Sequence, residues 1–210
     1  MRKKEPRLKT AYQRRFLYPH RLAREDVHIL DIVHSLSAQP RYNGHTPEPF
    51  SVAQHSIMVS QLCAPEDARK GLTHDFAEAY LGDLGEPIKH RMRQDGITWF
   101  DDVEWETTQT IWSALGIPFD PDVPEMPPSV RWADLAALVL EIHSFFGDRD
   151  PVKSWDLPEE VGGQPLPRPV NGRLFATNIH TGWFSDYIVP LPWKEAKGRL
   201  LKRYNELFHE

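Results

Sequence analysis

The chain has one cysteine, Cys63, in 210 residues. No intrachain disulfide can form, and the fold does not rest on an oxidising compartment. No run approaches the ~20 apolar residues of a membrane-spanning helix, and the N-terminus lacks the apolar stretch of a secretion signal. A cytoplasmic protein with no membrane partner is expected. Positive charge is also short: 25 Lys and Arg stand against 30 Asp and Glu, a net charge of -5. That leaves no broad cationic footprint for stable nucleic-acid binding. Internal repeats and low-complexity runs are missing, as is the H-E-x-x-H string of a metal-dependent peptidase. A chain of this length supports one sizeable core, so a single domain over 1–210 is expected.

Proline and tryptophan, by contrast, are plentiful, at 19 and 7. They point to long ordered loops packed by aromatic rings. Seven cations (Arg2, Lys3, Lys4, Arg7, Lys9, Arg14, Arg15) make 1–24 a basic N-terminal arm, expected to be flexible. Helical spacing follows over Asp26 to Ser37, with Val27, Leu30, Val33 and Leu36 on one face. A Gly- and Pro-flanked loop, Pro40 to Pro47, separates it from a capping box, Ser51 with Gln54, that starts a helix to about Leu62. Pro65-Glu66-Asp67 opens a helix expected to run through His74 and Asp75 to Leu81 and to stop at Gly82. Further helices are expected over Asp101 to Leu115, over Val130 to Phe146 with Ser129 as its cap, and over Glu195 to Phe208. The fold class is therefore all-α, a compact helical bundle. A Pro- and Trp-rich, loop-rich insertion at 148–192 precedes the last helix, with short extended pieces expected at Leu174 to Ile179 and Tyr187 to Val189.

The stretch from Gly71 to Asp83 carries the chemistry. His74 and Asp75 stand side by side on an apolar segment, and Glu78 and Asp83 follow, interleaved with Leu72, Phe76, Tyr80 and Leu81. An unpaired buried carboxylate is costly, so a partner is required, and a cation is the simplest one. His55, on the helix after Ser51, and Asp134, one turn after Val130, also fall on apolar faces. Two imidazoles and two carboxylates suit a divalent ion such as Zn, Co, Mn or Mg, and such an ion can bring the pKa of a water toward neutrality. Each residue alone has a plainer reading, a satisfied core histidine or a helix-capping acid. The adjacent pair with a second inward histidine nineteen residues earlier is harder to explain that way.

His55, His74-Asp75 and Asp134 resemble the signature of the HD-domain metal-dependent phosphohydrolases. The strings Arg41-Tyr42-Asn43-Gly44-His45-Thr46, Ser51-Val52-Ala53-Gln54-His55-Ser56, His74 to Asp83 and Pro87-Ile88-Lys89 are similar to a branch of that family. This branch holds 5'-deoxynucleotidases and compact phage deoxynucleoside triphosphate triphosphohydrolases. The resemblance spans about Asp26 to Phe146 and the closing helix. It implies that His55, His74, Asp75 and Asp134 hold the metal, that Glu78 and Asp83 manage a water and its protons, and that Arg41 and Lys89 contact phosphate. Tyr42, where relatives often have Trp, would pack on sugar or base, and His45 would reach the reacting phosphate. The implied reaction converts a deoxynucleoside triphosphate, a dATP-type purine among the candidates, to deoxynucleoside and tripolyphosphate. The alternatives are a 5'-deoxynucleotidase acting on monophosphates and a non-catalytic nucleotide-binding module. The implied partners are a small nucleotide substrate and further copies of the chain. In the insertion, Trp155, Trp183 and Phe184 are candidate anchors for a lid or an oligomer contact.

Overall fold

The computed structural model describes residues 5–123, 125–170, 173–174, 177–178, 182–183 and 188–209. Two short strands, β1 (Leu8–Lys9) and β2 (Phe16–Leu17), pair antiparallel with Leu8 opposite Leu17. This corrects the expectation of a flexible arm over the described residues from 5 onward. The turn of the hairpin is fastened where the backbone N–H groups of Tyr12 and Gln13 both donate to the carboxylate of Asp31, and Leu17 and Leu22 are buried. Cationic composition could not reveal an acceptor lying nearly twenty residues downstream. Asp31 belongs to α1 (Ile29–Ala38), whose Ile32, Val33 and Leu36 form its buried stripe.

Helix α2 (Val52–Leu62) is buried at nine of its eleven positions. Its start is half of the expected capping box. The Ser51 hydroxyl accepts the Gln54 N–H, but the Gln54 side chain turns away, donating to Val189 O at 2.7 Å and accepting from Leu191 N at 3.0 Å. After a turn at Pro65–Asp67 comes α3 (Ala68–Thr73), packed close against α2. Gly71 permits that approach, because a Cβ there would lie 2.6 Å from Cys63 Sγ and 3.2 Å from Ser60 Cα.

The helix expected to continue to Leu81 is interrupted at His74–Ala77 and resumes as α4 (Glu78–Leu81). In the interruption the N–H groups of Phe76, Glu78 and Ala79 donate three residues back, to Thr73, Asp75 and Phe76. The cause is local: the Gly71 carbonyl, which an unbroken helix would offer to the Asp75 N–H, is taken by His74 Nδ1 at 2.8 Å. Helices α5 (Glu86–Gln94) and α6 (Trp99–Leu115) follow, and Trp112 on α6 donates its indole N–H to Thr73 Oγ1 at 2.8 Å. Helix α7 (Pro128–Phe146) begins two residues before the expected start, with Pro127 at the cap position. Ser129 is not the cap, since its hydroxyl donates to Asp67 at the head of α3.

After α8 (Pro151–Ser154) the chain forms three more antiparallel hairpins. They are β3 (Glu160–Val161) with β4 (Gln164–Pro165), β5 (Pro169–Val170) with β6 (Arg173–Leu174), and β7 (Thr177–Asn178) with β8 (Gly182–Trp183). The architecture is thus mostly helical, as expected, with small two-stranded additions. Of the expected extended piece from Leu174 to Ile179, residues 174 and 177–178 are in strands, with β6 beginning one residue earlier; Ile188 and Val189 are not in a strand, and the Phe184 and Tyr187 expectations lie outside the described residues. The insertion buries Leu166, Leu174 and Ile188 in the core, and Trp132 on α7 donates to Pro165 O at 3.0 Å. Helix α9 (Trp193–Phe208) closes the chain.

The core has two lobes that meet at α2. One lies between α2 and α7 around Phe50, Val59, Ala133 and Leu140, and the other gathers α1, α3, α9 and the opposite face of α2 around Ile32, Ala53, Leu72 and Leu200. Among the described residues no helix is long and apolar enough to cross a membrane. Replacing Gly71 with Ala is expected to destabilise the protein by about 1–3 kcal/mol through overpacking against α2, measured by urea unfolding. Unchanged stability would show that the two helices can separate freely.

Candidate metal centre

The packing of α3 and α7 against α2 delivers the site. His55 stands in the first turn of α2, His74 and Asp75 sit in the interruption between α3 and α4, and Asp134 lies in the second turn of α7. His55 Nε2 is 3.6 Å from Asp75 Oδ2 and 3.0 Å from Asp134 Oδ1. His74 Nε2 is 3.2 Å and 3.8 Å from the same two oxygens. Ligand atoms ~2.1 Å from a shared ion stand roughly 3.0–3.5 Å from one another, and two of these four distances fall in that range while the other two, 3.6 Å and 3.8 Å, are slightly longer. His55, His74 and Asp75 together form a group able to hold a metal ion. Asp134 is the most open of the four, with its side chain 44% exposed.

Both imidazoles have their tautomer set by what lies behind them. His74 Nδ1 faces the Gly71 carbonyl, which can only accept, so Nδ1 carries a proton and Nε2 is left as the ligand atom. His55 Nδ1 lies 2.6 Å from Oε1 of Glu141, with the same consequence. Both Nε2 atoms are buried and lack a hydrogen-bond partner. Two buried nitrogens that meet the oxygens of Asp75 and Asp134 at ion-pair distance, without a well-aligned hydrogen bond, are the pattern expected of ligands. The residues therefore fit a divalent ion.

Charge in the cluster is strongly redistributed. Burial and Arg41 oppose a charge on His55, but Glu141 and Asp134 prevail and carry its pKa up to about 9. Burial likewise opposes the His74 charge, yet Asp75 and Asp134 raise its pKa. Against the effect of burial, His74, His55 and Arg41 hold Asp75 well below the usual carboxylate range, and His55 and His74 lower Asp134.

Glu78 behaves in the opposite way. It is buried, its Oε2 has no hydrogen-bond partner, and burial with the neighbouring Asp75 and Asp83 pushes its pKa well above normal. Asp83, half-buried just beyond Gly82, is also raised, first by burial and then by Asp75. Arg41 and Lys89 pull both acids back down, so the two cations face the two acids expected to manage protons.

The loop before α2 is pinched at its base by a bridge between Pro40 and Ser51, with Arg41 N donating to Phe50 O at 2.8 Å. Arg41 Nε is 3.0 Å from Glu141 Oε2, and its Nη1 is 3.8 Å from Asp75 Oδ2. The Tyr42 hydroxyl donates to Glu141 Oε2 at 2.7 Å, and its ring packs edge-on against Phe146 and Trp155. Trp155 thus packs against the loop, while the side chain of Trp183, and Phe184, lie outside the described residues. Lys89 Nζ sits 2.9 Å from both oxygens of Glu104. His45 is exposed at the end of the loop, and among the described residues no hydrogen bond or ion pair joins its ring to the cluster.

Two residues were missed by sequence reasoning. Glu141 is fully buried at the centre of the site, and its signal was present: an acid on the apolar stripe of α7, two turns beyond Asp134. Glu104, the partner of Lys89, carried no signal, because the two sit on different helices.

Fold and cluster together define the class, a mostly helical protein with a buried His-His-Asp group able to hold a metal ion. Within that class, the chain belongs to the same family as the uncharacterized protein YfdR of Escherichia coli (strain K12). The two are 30% identical over 200 residues, 95% of this chain and 94% of the relative. It is also similar to the uncharacterized protein RCAP_rcc00048 of Rhodobacter capsulatus, at 29% identity over 156 residues, 70% of this chain and 74% of that protein. No family model matches the chain.

The His55 shift makes the centre pH-dependent. Its folded, metal-free pKa of about 9 lies above the usual 6.5, so the stability it contributes is fully present below 6.5 and is lost as pH rises through 9. A metal ion must displace that proton. Loading at neutral pH is expected to release protons, and affinity is expected to climb with pH until about 9. Zinc titration in weakly buffered solution with a pH indicator checks this, and proton-free loading would contradict it.

Proposed function

We propose that the protein is a metal-dependent phosphohydrolase of the HD-domain type, acting on a deoxynucleoside 5'-phosphate. The observation that carries this reading is the pairing of two converging imidazole nitrogens with a buried Glu78 beside them, whose Oε2 has no hydrogen-bond partner and whose pKa is raised. The motif resemblance supports it, since His55, His74 and Asp75 form a group able to hold a metal ion and Asp134 lies 3.0 Å from His55. A divalent ion held by these four residues would supply Lewis-acid polarisation and lower the pKa of a coordinated water.

The residues of the chain supply the rest. Glu78 takes the proton of the attacking water as its oxygen bonds to phosphorus, a role suited to a carboxyl whose pKa lies well above normal. Asp83, also raised, returns a proton to O5' as the bond between phosphorus and O5' breaks. Arg41 keeps N–H donors beyond the one given to Glu141, and with Lys89 it offsets phosphate charge. The outcome is a 3'- and 5'-hydroxyl nucleoside and an inorganic phosphate or polyphosphate.

Triphosphate and monophosphate substrates break the same bond, between O5' and the first phosphorus, which is why one constellation serves either. The triphosphate reading is preferred for the Arg41 loop and the likeness to the phage branch, with the 5'-deoxynucleotidase as its alternative. A binding module without catalysis is disfavoured because it has no use for Glu78, whose burial beside Asp75 and Asp83 is unfavourable.

Incubation with a panel of deoxynucleoside mono- and triphosphates and several divalent ions is expected to yield phosphate or tripolyphosphate on chromatography. Absence of phosphate, pyrophosphate and tripolyphosphate alike would end the enzymatic reading. Glu78→Ala is expected to retain metal and fold while turnover falls at least about 100-fold. Full turnover in that variant would remove Glu78 from the mechanism.

A further inference from the structure

We propose that Glu141 is a positioning residue that ties the metal ligand His55 to the turn presenting Arg41, so that one carboxylate sets the geometry of both. The inference rests on the reading of Arg41 as a phosphate contact. The two oxygens of Glu141 have separate tasks. Oε1 receives His55 Nδ1 at 2.6 Å and so directs His55 Nε2 toward Asp75 and Asp134. Oε2 receives Arg41 Nε at 3.0 Å and the Tyr42 hydroxyl at 2.7 Å. The carboxylate is fully buried, so water cannot replace any of these donors.

The turn that Glu141 holds is itself unusual. Tyr42 and Asn43 are consecutive non-glycine residues in the left-handed region, with φ of 55° and 51°. Residues other than glycine adopt that conformation at a cost, and two in succession persist only where surrounding contacts over-determine them. Phe50 O secures the backbone of Arg41 from one side, and Glu141 secures the side chains of Arg41 and Tyr42 from the other. Loss of the carboxylate therefore releases the turn and the imidazole together. A residue with a merely structural role would lower stability and leave the ligand affinities of the folded protein unchanged.

The test uses the full chain with Glu141→Gln and Glu141→Asp. Gln removes the charge while keeping the shape. Asp keeps the charge beside Arg41, which guards the fold, but it is one methylene too short to reach all three donors. For each variant with a wild-type circular dichroism spectrum, zinc affinity is measured by competition with a chromogenic chelator. The affinity of the zinc-saturated protein for inorganic phosphate is then measured by calorimetry. Zinc affinity is expected to fall by about 10–100-fold, as when the partner behind a ligating histidine is lost, and phosphate affinity is expected to fall with it. Zinc and phosphate affinities within twofold of wild type in a folded variant would overturn the proposal, as would the loss of one without the other. Neither measurement uses turnover, so a protein that hydrolyses nothing would sink the phosphohydrolase reading and leave this result to be judged by itself.

Discussion

The structure depends on how a charge is kept in the dry space between α2 and α7. Glu141 has no contact with solvent, and a carboxylate in that position is tolerable only when its partners are arranged in advance. Three donors from two segments meet it, and with burial opposed by Arg41, His55 and Tyr42 its pKa is held below the usual range. The same donors fix the tautomer of His55 and the course of the chain at Arg41 and Tyr42. Outward from that point the imidazoles meet Asp75 and Asp134, the acids Glu78 and Asp83 crowd beside Asp75, and Lys89 with Glu104 lies beyond them. Packing follows the charge: both core lobes meet at α2, which places His55 where the electrostatic order begins.

Periodicity located this centre without seeing it whole. His55, His74, Asp75 and Asp134 were legible because each is a polar group on an otherwise apolar helical face, and the helix over Val52–Leu62 was legible to its ends. Glu141 satisfied the same criterion two turns along α7, yet only three-dimensional packing shows that it lies behind His55 rather than in solvent. The break between α3 and α4 was illegible, because nothing in the sequence says that a histidine side chain will take the Gly71 carbonyl from the backbone. Asp31 hid the folding of the N-terminal residues in the same way: its role is to accept two distant N–H groups, and acceptors carry no periodicity. His45 was singled out by motif, and geometry leaves its ring exposed.

The interruption at His74 has a further effect on reach. A regular helix would carry Glu78 directly above His74, whereas bonds to the third residue back tighten the path between them. Gln39 on the neighbouring segment donates to the Glu78 carbonyl at 2.9 Å, and Ser35 donates to that of Ala79 at 3.0 Å. The acid thus stands on backbone held from outside its own helix.

The Gln54 side chain, diverted from its capping duty, grips the chain at Val189 and Leu191 just ahead of α9. That grip resets the register of the polypeptide after the hairpins. With Leu166, Leu174 and Ile188 packed into the core, the Gln54 amide and the buried stripe of Ala196, Leu200 and Tyr204 together set where the closing helix lies.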